Sequence, residues 1–118
     1  ALSALKENGA NEENLEVVRV PGAFEIPQAA KKLCSSRELD AVVCLGAVIK
    51  GGTPHFDYIC AETSRGVGQV GLEFNIPVLF GVLTTNDLEQ AIARTGSSNK
   101  GRETALAAIE MVNLFRKI

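Results

Sequence analysis

Tryptophan is absent from this 118-residue chain, and histidine, tyrosine and methionine occur once each. Aromatic residues make up only 5% of it, so each ring has to be located individually. Charge of one sign is also scarce: 12 basic and 14 acidic side chains leave a formal net charge of −2. There is no basic patch or Lys/Arg run, which argues against a nucleic-acid partner or a membrane surface. Long apolar runs are missing as well. The longest, Ala41–Ile49, is the size of a strand and far short of a membrane span. Cys34, Cys44 and Cys60 are odd in number and widely spaced. They form neither a disulfide framework nor a metal-ligand pattern, which favours a reducing compartment, cytoplasmic or, in a plant, plastid.

What is present is enough for one packed domain, since 46% of the residues are hydrophobic. Ala1–Asn8 reads as the tail of a helix stopped by Gly9. Leu15–Val20 reads as a strand ended by Pro21-Gly22, and Ala23–Ser35 as a helix with Phe24, Ala30 and Leu33 on its apolar face. Ala41–Ile49 is apolar throughout, the mark of a strand covered on both faces. A helix follows, with Thr53 as its expected cap and Pro54 at its first position; Phe56, Ile59, Cys60, Thr63, Val67, Val70 and Phe74 recur at helical spacing. Pro77–Leu83 is expected to be a third buried strand. Asn86–Glu89 reads as a capping box opening a short helix, Gly96–Gly101 as a polar loop, and Glu103–Ile118 as an amphipathic helix.

This alternation predicts an α/β fold, a parallel sheet with helices on both faces. A helix ahead of the first strand normally crosses over from an earlier strand. We therefore expect residues 1–118 to be one N-terminally incomplete domain whose first strand is missing from this chain.

The segment richest in chemistry runs from Leu45 to Asp57. An apolar strand drives into Gly51-Gly52-Thr53, and the only histidine, His55, stands at the start of the next helix. Glycines let backbone amides approach an anion, and a helix start supplies unpaired N–H groups. Taken alone, Gly51-Gly52-Thr53 is an ordinary strand-to-helix turn; it is neither a Walker loop nor a dinucleotide fingerprint. His55 gains weight because open α/β sheets place ligands at the carboxyl ends of their strands, and because imidazole moves protons near neutrality. Pro21–Glu25 holds the equivalent place after the preceding strand and offers an aromatic edge and a carboxylate. Phe80 reads equally as core. Arg94, Lys100, Arg102 and Glu103 cluster around the last loop; Arg102 reads as a solvated charge, while Arg94 and Lys100 suit a phosphate clamp.

Together these segments resemble the lumazine synthase family. The resemblance is carried by Val20–Pro27, Leu45–Tyr58, Phe80–Thr84, Gln90–Arg94, Asn99–Gly101 and Ile109–Met111, in order along essentially the whole chain. It implies a three-layer α/β/α sandwich, flavodoxin-like, and a transferase of riboflavin biosynthesis that works without metal or organic cofactor. The implied substrates are 5-amino-6-(D-ribitylamino)uracil and 3,4-dihydroxy-2-butanone 4-phosphate. The products would be 6,7-dimethyl-8-ribityllumazine, phosphate and water.

By that resemblance Ala23, Phe24 and Glu25 hold the ribityl chain, and Val48, Ile49 and Lys50 line the pyrimidine site. Gly52, Thr53 and Arg94 take the phosphate, Phe80 stacks on the heterocycle and Lys100 borders the site. His55 moves protons with Glu103 as its acidic neighbour. The family assembles as homopentamers, some of them icosahedral shells of twelve pentamers, with sites shared between adjacent subunits. His55 and Phe24 would come from one chain, and Phe80, Arg94, Lys100 and Glu103 from its neighbour. Two departures stand out: the first strand with its aromatic residue is missing, and Gly96–Asn99 is about two residues shorter than the family's loop. A riboflavin synthase on the same scaffold, and a non-catalytic shell protein that binds flavin or lumazine, remain open alternatives.

Overall fold

Two parallel strands hold the centre of the computed structural model, which describes residues 1–96 and 99–118. β1 (Val42–Ile49) pairs with β2 (Val78–Thr85) from Val42 opposite Val78 to Ile49 opposite Thr85. The ladder extends one step beyond each end: Val42 N–H donates to Pro77 O, and Lys50 N–H to Thr85 O, both at 2.9 Å. The connection is α3 (His55–Phe74), as a parallel crossover requires. Asn75 ends α3 in the left-handed region at φ 54°, a conformation asparagine tolerates better than most residues.

Helices lie on both faces of the sheet. On one, α2 (Ile26–Ser36) and α3 pack against Cys44, Val48 and Val82, forming a core with Ile26, Ala30, Cys34, Val67 and Val70. On the other, α5 (Lys100–Lys117) lies over the sheet and supports α1 (Leu2–Glu7). The short α4 (Leu88–Ala93) links β2 to α5. The α/β architecture expected from the sequence is present, with a short sheet.

Several local expectations are corrected. Leu15–Val20 is not a strand among the described residues: it carries no ladder, and Val17 and Val18 are exposed. Its tether is a bidentate fork in which Arg37 Nε and Nη2 donate to the Glu16 carboxylate at 2.9 and 3.0 Å. β1 is not covered on both faces, since Leu45, Ala47 and Ile49 remain exposed. A strand with one partner lacks the neighbours that would bury its alternate side chains.

The helix expected from Ala23 begins as a 3₁₀ turn, Ala23–Glu25, and becomes α-helical only at Ile26; Phe24 is exposed rather than on the buried face. Thr53 caps nothing, and α3 starts directly after Pro54 with no side-chain cap. α4 is capped one residue later than expected: Asp87 Oδ1 accepts from Gln90 N–H at 2.8 Å, and Gln90 Oε1 accepts from Asn86 N–H at 2.9 Å. α5 starts at Lys100, three residues early, because Asn99 Oδ1 accepts from Arg102 N–H at 2.8 Å. Of the loop expected to be short, Ser97 and Ser98 lie outside the described residues.

Candidate functional site

The crossover brings the carboxyl ends of β1 and β2 to one end of the sheet, in register. Val48 and Ile49 close β1, and Lys50 stays tied to Thr85 by its backbone. Gly52 and Thr53 then bend the chain into the exposed turn that leads to His55, the first residue of α3, whose ring is open to solvent. A helix start leaves several N–H groups without intrahelical partners. Asp57 N–H is drawn back to Pro54 O at 3.1 Å. This end of the molecule therefore presents backbone donors beside an imidazole.

After β2, α4 and α5 assemble a second cluster. Lys100 N–H donates to Arg94 O at 2.9 Å, which seats the first turn of α5 on the residue that follows the end of α4. Gln90, Ala93, Arg94, Lys100 and Glu103 then line one shallow depression of about 620 Å³. Lys100 Nζ stands 3.4 Å from Glu103 Oε1. Arg94 makes no ion pair among the described residues, so its guanidinium is available to an anion. Gln90 was not anticipated as part of this wall. Its role as a capping partner, one residue beyond the expected box, was the signal that would have placed it.

Ala23, Phe24 and Glu25 sit in the 3₁₀ turn ahead of α2, with the Phe24 ring 55% exposed. Glu25 also borders a separate apolar groove with Val20, Gln28 and Ala29. Phe80 is the third residue of β2, opposite Cys44, and is 37% exposed. The predicted residues thus fall into two groups. Phe24, Glu25 and His55 belong to the α2 and α3 starts. Arg94, Lys100 and Glu103 share a depression whose lining includes neither His55, Phe24 nor Phe80.

The cysteines stand apart from this chemistry. Burial, with Cys34 nearby, pushes the Cys44 thiol up to about 12, and burial also raises Cys34. Cys60 is raised by partial burial and by Asp57. A thiol titrating above its ordinary range carries little thiolate at neutral pH and is a poor nucleophile. In the folded protein at pH 8, iodoacetamide is expected to modify Cys60 at least about tenfold faster than Cys44. Time-resolved peptide mass spectrometry checks the order; Cys44 reacting first would contradict the burial.

Comparison with known proteins gives a consistent result. The family profile described as 6,7-dimethyl-8-ribityllumazine synthase matches residues 1–116. A 6,7-dimethyl-8-ribityllumazine synthase of Clostridium kluyveri is 58% identical over 120 aligned positions, covering all of this chain and 78% of that protein. One from Desulfatibacillum aliphaticivorans is 59% identical over 116 positions, covering 97% of this chain and 75% of that protein.

Proposed function

This chain belongs to the 6,7-dimethyl-8-ribityllumazine synthase family, enzymes of the penultimate step of riboflavin biosynthesis, and from that premise we propose how its residues carry the reaction. The observation behind the assignment is the cluster of Arg94, Lys100 and Glu103 around one depression, a cationic wall suited to a phosphate monoester. Arg94 and Lys100 less Glu103 leave one net positive charge there. The butanone phosphate docks on Arg94, with the Gly52-Thr53 turn and the amides at the start of α3 sharing the phosphate oxygens. The pyrimidine rests on Val48, Ile49 and Lys50 and stacks on Phe80, while Ala23, Phe24 and Glu25 hold the ribityl chain.

The chemistry is a sequence of proton transfers. The 5-amino group adds to the ketone, and loss of water gives an imine. Removal of a proton from a butanone-derived carbon drives out phosphate, and ring closure releases a second water. His55 takes and returns protons at these steps, and Arg94 stabilises the departing dianion. Holding both substrates together supplies much of the rate, because the intermediates are themselves reactive.

His55 and Arg94 occupy separate clusters in one chain, which supports a site completed by a second copy. We place His55 and Phe24 on one subunit and Phe80, Arg94, Lys100 and Glu103 on the next, in a homopentamer or an icosahedral shell of pentamers. Glu103 of one subunit then faces His55 of the other. The single partner of β1 and the unladdered Leu15–Val20 support a further strand between them in the complete domain. A cytoplasmic location agrees with three free thiols.

The assay mixes the protein with both substrates and follows lumazine fluorescence and phosphate release. Product well above the spontaneous background is expected. Riboflavin bound without turnover would favour a carrier, and formation of riboflavin from lumazine would favour a riboflavin synthase. His55→Ala is expected to slow turnover at least about tenfold while leaving pyrimidine binding nearly intact. Unchanged turnover would remove His55 from the mechanism.

A further inference from the structure

The hydroxyl of Thr63 is buried where shape alone gives no reason for one. Thr63 lies on α3 and is 1% exposed, one of the largest fully buried side chains of the protein with Val67. Its inward neighbours on the helix are Val67 and Val70, and valine would fill the same volume. Its Oγ1 donates to the Ala23 carbonyl at 3.3 Å. That carbonyl also accepts from Ile26 N–H, closing the 3₁₀ turn, so both of its lone pairs are used.

One turn further along α3, Gly66 receives the ring of Pro27: a Cβ at Gly66 would lie 2.6 Å from Pro27 Cβ. Residues 63 and 66 share a helix face. One face of α3 therefore grips both ends of the segment that presents Phe24 and Glu25, while the first residue of the same helix is His55. The chain entering this segment, Leu15–Val20, has no ladder to hold it.

We propose that Thr63 is a positioning residue: its hydrogen bond to Ala23 fixes the Phe24 turn against the helix that carries His55, and so sets the geometry of the pyrimidine substrate's polyol tail. The inference rests on the assignment of Phe24 to that substrate made above. Thr63→Val preserves shape and removes the donor; Thr63→Ser keeps the donor. In the full-length enzyme, Thr63→Val is expected to raise KM for the ribitylaminouracil about threefold to tenfold, the worth of one buried hydrogen bond. KM for the butanone phosphate and kcat should stay within about twofold, and Thr63→Ser should restore the wild-type values.

Hydrogen exchange followed by mass spectrometry gives a readout independent of turnover. Amides of residues 22–26 should exchange faster in Thr63→Val, and not in Thr63→Ser, with the centre of α3 unchanged. Unaltered exchange in Thr63→Val, equal shifts in both KM values, or a serine variant no better than valine would overturn the proposal. Faster exchange at 22–26 with an unchanged ribitylaminouracil KM would uphold the tether and overturn its role in positioning substrate. A wild-type protein that forms no lumazine would instead sink the reading of the site, with the exchange data still deciding on the tether.

Discussion

Arg94→Ala is expected to lower kcat/KM for the butanone phosphate about a hundredfold to a thousandfold, the usual consequence of removing one well-placed stabiliser of developing charge. The loss should fall mainly on that substrate, with KM for the ribitylaminouracil changed less than about threefold, a fraction of a typical charged contact. The asymmetry follows from how the depression is built. Lys100 already has a carboxylate within 3.4 Å, in Glu103, so part of its charge is answered from within the protein. Arg94 has no such partner among the described residues, and its backbone is held where α4 meets α5. Its planar fork matches two phosphate oxygens at once.

Arg94→Lys should recover only part of the loss, because a point charge on a flexible stem does not reproduce the fork. Steady-state kinetics with each substrate varied in turn make the comparison. Equal losses for both substrates would remove Arg94 from the phosphate subsite and leave it a general structural role.

Local signals were the most legible in the sequence, and pairings at a distance the least. β1, α3 and β2 were readable because an apolar run, a helical period and flanking glycine or proline are properties of neighbouring residues. Asp87 and Asn99 show the limit of that reading: several polar residues near a helix start can cap it, and the one that does moves the start of α4 by one position and that of α5 by three. Leu15–Val20 has the composition of a strand, yet a strand exists only when a partner satisfies its backbone, and composition does not name the partner. Thr63 was legible as an inward-facing position, but its bond to Ala23 depends on how α2 docks on α3. The candidate site divides the same way. His55 beside Gly51-Gly52-Thr53 was visible as a local motif, whereas the grouping of Gln90 with Arg94 and Lys100 required the bond that seats Lys100 on Arg94.

Two glycines two residues apart on α3 should respond with opposite signs to the same substitution. Glycine inside a helix costs about 0.5–1 kcal/mol relative to alanine, from the freedom it loses on folding. At Gly68 a new Cβ meets nothing within 4 Å, so Gly68→Ala is expected to stabilise the protein by about that amount. At Gly66 the same methyl would lie 2.6 and 2.7 Å from Pro27 Cβ and Cγ, about 1 Å inside a comfortable carbon–carbon contact.

Flexible side chains escape such a clash by rotating, but Pro27 cannot: its ring is closed on the backbone in the first turn of α2. The residues before it are held by the bond from Thr63 to Ala23. The two helices must therefore separate, and overpacking of this kind costs about 1–3 kcal/mol or more. We expect Gly66→Ala to lose stability in spite of its gain in helix propensity, with the thermal midpoints of the two variants differing by roughly 10 °C or more. Thermal unfolding at matched protein concentration decides it, and a Gly66→Ala protein as stable as Gly68→Ala would mean that α2 can slide on α3. That slack would also loosen the hold of α3 on the Phe24 turn, so the packing of one proline ring on one glycine bears on stability and on the shape of the candidate site alike.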